Sequence, residues 1–205
     1  MDTFELPAWW DYAATFLYAL VGARFAILRG YDVIGVYVLA FVAGGGGGLL
    51  RDMLLQSGPP VVLRDPVYVT VAWAAATAGL LLHRLLPRIQ KFIDIVDAVS
   101  IGLYAVVGAQ KSLLLGFSPL TAIFVGTLNA VGGGIIRDII VRNEPDIFRP
   151  GTYYAVAVVA GVFVFVGLNY FTPLDADTSA LFSVAVTVNI RALALRYGWK
   201  TRRLG

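Results

Sequence analysis

The chain has 205 residues, of which 59% are hydrophobic and 14% charged, with a formal net charge of +3. Soluble domains average about 45–50% apolar and 25% charged residues, so the composition excludes an ordinary soluble domain and indicates an integral membrane protein. With no cysteine and His83 as the single histidine, disulfides, thiolate nucleophiles, His-rich metal sites and histidine acid-base chemistry fall away; neither a catalytic nor a metal-binding residue is expected.

The N-terminus carries acidic Asp2 and Glu5 before Pro7 and Trp9-Trp10, unlike the basic start of a cleavable signal peptide, so the first span is expected to be retained. A membrane helix needs about 20 apolar residues. Seven segments qualify: 9–28, 34–55, 66–86, 95–115, 119–141, 151–170 and 178–196. Short connections rich in Gly, Pro, Asn and Asp separate them, with no room for an inserted soluble domain. Trp9, Trp10, Tyr12, Trp73 and Trp199 suit the aromatic belts at the membrane interfaces.

Two stretches in this order resemble each other. Gly44, Gly45, Gly46, Gly47 and Gly48 are followed by Leu49-Leu50-Arg51-Asp52, and Gly132, Gly133 and Gly134 by Ile135-Ile136-Arg137-Asp138, an offset of 86 residues. The same offset aligns Asp11 with Asp97, Tyr18 with Tyr104, Gly22 with Gly108, Gly30 with Gly116, Pro59 with Pro145 and Tyr68 with Tyr154. Residues 9–86 and 95–172 are therefore two copies of a three-span unit, and 178–196 is an added seventh span. Because three is odd, the second copy enters the membrane from the opposite side. The predicted fold is all-α, a single transmembrane domain over 1–205 with two inverted three-helix repeats and a C-terminal seventh helix, a plan that places a solute path between the halves.

Basic residues orient it. Arg29, Arg84, Arg88, Lys91, Arg142, Arg149, Arg196, Lys200, Arg202 and Arg203 collect on one side and only Arg64 clearly on the other. The C-terminus is thus expected in the cytoplasm and the N-terminus outside. Basic residues at span ends, rather than on a face interleaved with aromatics, argue against a nucleic-acid partner and for membrane lipid.

Neither glycine run continues into a P-loop or a GxGxxG fingerprint. Each glycine costs a helix about 1 kcal/mol relative to alanine, so five in a row cost roughly 5 kcal/mol. A bend or break with freed carbonyls facing a wet cavity is one reading; close helix packing through small residues is the other. Arg51, Asp52, Arg137 and Asp138 are expected as pore or vestibule charges, or as snorkelling anchors or a structural ion pair near the interface, with cross-repeat pairing of Arg51 to Asp138 and Arg137 to Asp52 as a further arrangement. Asp11 and Asp97 suit solvated helix ends, and Arg191 an interfacial anchor. Lys111, near the end of span four, either snorkels or points inward as a gate. Ser100, Thr127 and Asn129 are candidate pore-lining residues.

The doubled motif VAGGGGGLLRDML and NAVGGGIIRDII, with GAQKSLLLGFSP between its copies and PDIFRPGTYYAVAV after them, resembles the prokaryotic trimeric intracellular cation (TRIC) channel family, whose domain also occurs in sequences called glycine transporters. The resemblance implies a homotrimer in the prokaryotic plasma membrane, with a potassium-permeable pore in each subunit bounded by glycine-kinked helices two and five. It implies no enzyme activity and no cofactor beyond potassium or sodium as permeant ions. The Lys-Glu-Val motif of animal members is missing, so phosphoinositide binding and eukaryotic gating do not carry over. The alternative function is secondary transport of a small zwitterion such as glycine, since broken helices in inverted repeats serve substrate binding too.

Overall fold

The computed structural model describes residues 6–84, 90–148 and 153–199. Arg88, Arg149, Lys200, Arg202 and Arg203 of the orientation argument, and acidic Asp2 and Glu5, lie outside the described residues. Eight helices follow in order: α1 Trp9–Leu28, α2 Val33–Leu55, α3 Val61–Arg64, α4 Pro66–Leu81, α5 Gln90–Leu114, α6 Pro119–Ile140, α7 Tyr154–Phe171 and α8 Ala176–Tyr197. All but α3 and α4 are long and apolar enough to cross a membrane, and the 16-residue α4 is a shorter apolar helix in the place of the third span. The short α3 was not expected from the sequence; four residues carry no periodicity to read.

The helix ends repeat as faithfully as the glycines. Asp32 caps α2 by accepting the Gly35 N–H at 2.7 Å, and Ser118, its counterpart 86 residues on, caps α6 through the Thr121 N–H at 3.2 Å. Gly30 and Gly116 stop α1 and α5 with φ of +73° and +80°, a conformation that glycine adopts at no steric cost. Even the strained αL residues match: Gln56 after α2 has φ 48°, and Arg142 after α6 has φ 55°.

Within the first half α1 packs on α2 and α4; within the second, α5 packs on α6 and α7. The halves join through α2 against α6 and α1 against α5, and α8 covers α5 and α7. Helix α5 is the most enclosed of the spans.

Both glycine helices are continuous. Residues 44–48 and 132–134 keep helical hydrogen bonding, so the expected break is not there. The reason is the α2/α6 crossing. A Cβ on Gly47 would collide with the Asn129 carbonyl, and one on Gly133, its repeat partner, with the Ala43 carbonyl. A Cβ on Gly46 would sit 3.2 Å from the Gly133 Cα, and one on Gly132 3.4 Å from the Gly47 Cα. The backbones touch across a pseudo-twofold centre, a packing mode that only glycine permits and that favours weak Cα–H to carbonyl contacts.

Candidate functional site

The Arg-Asp step after each glycine run sits at one end of the crossing. At the outer end, defined as the α2 C-terminus, Arg51 and Asp52 are 2% and 1% exposed. Arg51 Nε donates to Asp52 Oδ1 at 2.7 Å, and its Nη1 lies 3.4 Å from Asp11 Oδ2. Tyr68 donates its hydroxyl to the same Asp11 oxygen at 2.7 Å. Lys111 Nζ reaches Asp52 Oδ1 at 2.7 Å while remaining partly exposed. The Val61 N–H, at the start of α3, donates to Asp52 Oδ2 at 2.8 Å. Asp52 therefore pins the connection after α2 back over the helix that carries it.

The inner end repeats this plan with different partners. Arg137 Nε donates to Asp138 Oδ1 at 2.9 Å, and Asp138 also accepts the Asp146 N–H of the following connection. The Arg137 guanidinium carbon lies 4.0 Å above the Phe25 ring centre, and Phe25 occupies the repeat position of Lys111. Arg191 of α8 brings Nη2 to 3.8 Å from Asp97 Oδ2, and its guanidinium carbon to 4.8 Å from the Tyr154 ring centre.

Two fully buried tyrosines lie between these ends. The Tyr104 hydroxyl bonds the Gly44 carbonyl and stands 2.8 Å from Thr15 Oγ1. The Tyr18 hydroxyl stands 3.2 Å from that of Tyr154, and the two central rings are 5.8 Å apart.

The cavities lie at the two clusters. A vestibule of about 260 Å³ is lined by Asp11, Arg51, Tyr68, Gln110 and Lys111, among others. Beneath it a space of about 10 Å³ is lined by Thr15, Gly44, Gly45, Gly48, Asp52 and Tyr104, with α3 contributing Val61 and Val62. At the inner end another of about 10 Å³ is lined by Gly134, Arg137, Asp138, Asp146 and Tyr154. Each small space holds about one water. The two share no lining residue.

Several sequence expectations are corrected here. Arg51 and Arg137 pair with the aspartate beside them, not across the repeat, because the two clusters lie at opposite ends of the crossing. Adjacent helical side chains diverge by about 100°, yet the long arginine side chain curls back to its neighbour's carboxylate. Asp11, 9% exposed, is an ion-pair partner rather than a solvated helix end, and Arg191, 7% exposed, is a packed inner-cluster residue rather than a surface anchor. Lys111 turns inward to Asp52. Ser100 bonds back to the carbonyls of Val96 and Asp97, and neither it, Thr127 nor Asn129 borders the three cavities above. The roles of Thr15, Tyr18, Tyr68, Tyr104 and Tyr154 were missed. The signal for the tyrosines was the repeat itself, which aligns Tyr18 with Tyr104 and Tyr68 with Tyr154.

The family model described as Glycine transporter matches twice, over residues 8–84 and 94–170, the same 86-residue offset. The chain belongs to this family. Among members of related sequence, the UPF0126 inner membrane protein YadS of Escherichia coli K12 is 32% identical over 196 residues, 95% of this chain and 94% of that protein. The glycine-transporter family chain also superposes on solved channels. One, a structure addressing conductance through TRIC cation channels, has a TM-score of 0.86 at 29% identity, covering 98% of both chains. Another, the TRIC trimeric intracellular cation channel orthologue from Rhodobacter sphaeroides, has a TM-score of 0.87 at 29% identity, covering 93% of this chain and 97% of that one. The resemblance to prokaryotic TRIC channels and the all-α, multi-span membrane fold are borne out. These relatives are membrane proteins and channels, not enzymes.

Proposed function

We propose that the chain is a monovalent cation channel, permeable to potassium, that assembles as a homotrimer in the prokaryotic plasma membrane with its N-terminus outside and its C-terminus in the cytoplasm. The path runs inside each subunit, between the inverted halves, with potassium or sodium as the permeant species and membrane lipid around the trimer. The observation that carries this reading is the set of a vestibule, an outer cavity and an inner cavity at the two ends of the α2/α6 glycine crossing, each small cavity bordered by a buried carboxylate. The superposition on TRIC channels over nearly the whole chain supports it.

In this mechanism Gly44 to Gly48 and Gly132 to Gly134 serve as hinges. Side-chain-free helices separate without repacking, and backbone oxygens then replace part of an ion's hydration shell. Asp52 and Asp138 favour cations at the two mouths. In the closed state Asp52 is neutralised by Arg51 and Lys111, so displacement of Lys111 restores its attraction for a cation. Hydroxyl and amide groups supply only modest discrimination of potassium from sodium, since the chain contains no TVGYG-like filter. Planar-bilayer recording of purified protein under potassium, sodium and chloride gradients tests the proposal. Unitary currents reversing near the cation equilibrium potential are expected; chloride-driven reversal or silent bilayers would overturn it.

A second reading is transport of a small zwitterion. The vestibule sets the Asp11 carboxylate beside the cations Arg51 and Lys111, a pairing that suits an amino acid's two charges, and the family's own description names glycine. Saturable glycine uptake into liposomes without unitary current would reverse the ranking.

A further inference from the structure

We infer that the side-chain oxygen of Asn129 is a cation ligand at the α2/α6 crossing, where the outer and inner cavities join when the path opens. The assignment rests on the channel reading above and names the group that would contact the ion at its narrowest passage.

Asn129 is fully buried. Its Nδ2 donates to the Tyr104 carbonyl at 2.6 Å, which fixes the orientation of the amide, and its Oδ1 has no hydrogen-bond partner among the described residues. Buried polar oxygens are almost always satisfied, and one left bare is unfavourable in a membrane interior. Packing does not require it. The repeat partner of Asn129 is Ala43, and the two occupy equivalent sockets: a Cβ built on Gly22 would lie 2.6 Å from the Ala43 Cβ, and one on Gly108 2.6 Å from the Asn129 Cβ. The first half thus fills the socket with a methyl group and leaves no polar atom to satisfy. The carboxamide is an addition to the second half alone.

Its position suits an ion. Tyr104, which accepts the amide N–H, lines the outer cavity; Val131 and Gly134, further along the same helix, line the inner one. The Gly44 carbonyl and the hydroxyls of Tyr104 and Thr15 cluster on the outer side of this point, so separation of the helices exposes several neutral oxygens together. A neutral amide oxygen can stand in for water around a monovalent cation without holding it too tightly to leave.

Wild type, N129A and N129D, each checked for folding by size-exclusion chromatography and circular dichroism, are compared in planar bilayers with potassium on one side and sodium on the other. N129A is expected to fold, on the precedent of Ala43, and to conduct with a potassium-to-sodium permeability ratio moved several-fold. N129D is expected to be blocked by magnesium or calcium at concentrations that leave wild type unaffected, because the neutral ligand has become a charged one. An unchanged ratio in N129A, or no divalent block in N129D, overturns the assignment and reduces the amide to a staple on the Tyr104 carbonyl. Should N129A fail to fold, the N129D block decides alone. A wild type without cation-selective current defeats the channel reading instead, and this inference with it.

Discussion

The outer and inner Arg-Asp clusters stand on the same backbone frame and differ in what surrounds it. At the outer end a lysine, Lys111, completes the cluster and reaches the vestibule; at the inner end its repeat partner is Phe25, a ring that supports Arg137 from below. Asp11 is held by Tyr68 and Arg51 of its own half, whereas Asp97 faces Arg191 from α8, which belongs to neither repeat. Tyr154, the counterpart of Tyr68, turns to Tyr18 instead of the aspartate. The repeat supplies two equivalent clusters, one ion-paired by a partly exposed lysine, the other braced by the added helix α8.

The comparison is broken most severely at Arg51. Arg51→Ala strips a counter-charge from two buried carboxylates, Asp11 and Asp52, and removing one partner of a buried pair costs about 3–5 kcal/mol. Arg137→Ala is expected to cost less, since among the described residues Arg137 is ion-paired to one carboxylate, Asp138, where Arg51 holds two. Thermal midpoints in detergent, followed by tryptophan fluorescence, should rank wild type above R137A and R137A above R51A; equal midpoints for the two variants would deny the asymmetry.

Next comes the crossing that the clusters share. Gly47→Ala drives a methyl group into the Asn129 carbonyl, and overpacking of this kind costs about 1–3 kcal/mol. Gly48→Ala, whose Cβ would meet only the Arg51 side chain at 3.6 Å, gains up to about 1 kcal/mol of helix propensity. Opposite signs for neighbouring glycines identify close packing as the reason for Gly47; if both variants melted alike, glycine would be serving flexibility alone.

A smaller effect is expected from Lys111→Phe, which gives the outer cluster the inner one's residue. The lysine is 27% exposed, so its pair is worth at most about 1 kcal/mol and is screened by salt. Its stability should lose part of the wild type's dependence on KCl concentration, while single-channel current at low salt should rise as Asp52 sheds a counter-charge. An unaltered current would remove Lys111 from the gate.

The smallest effect lies at Asp65, outside the spans. Its carboxylate accepts the Tyr12 hydroxyl at 2.5 Å and the Val67 N–H at 2.9 Å. The first of these bonds chiefly holds its pKa below the ordinary carboxylate value, because both favour the charged form. A depressed folded pKa contributes stability above the unfolded value, near 3.9, and loses it as pH falls through the folded one. Asp65→Asn should therefore be slightly less stable than wild type at neutral pH, with the gap closing below about pH 4; a gap that persists in acid would assign the effect to packing.

Much of this was legible in the residues. The spans follow from runs of apolar residues, and the inverted repeat from an offset that extends from Asp11 to Tyr154. The glycines announced themselves but not their role. A run of glycine reads equally as a weak helix or as a flat face, and only the position of the partner backbone distinguishes them. For a related reason the residues left the partner of each arginine open: spacing gives direction around one helix but not how far a flexible side chain turns back.

The chain's own order of residues determined a membrane protein of two opposed three-helix copies and an added seventh helix, because hydrophobic length, turn chemistry and parity of crossings are local and additive. Tertiary structure decided what the copies do to each other. It placed Gly47 against the Asn129 carbonyl and Gly133 against the Ala43 carbonyl, sent Arg191 across from the added helix to Asp97, and left the Asn129 amide oxygen without a partner among the described residues. Those outcomes depend on distances between helices far apart in sequence, where no local pattern carries the information.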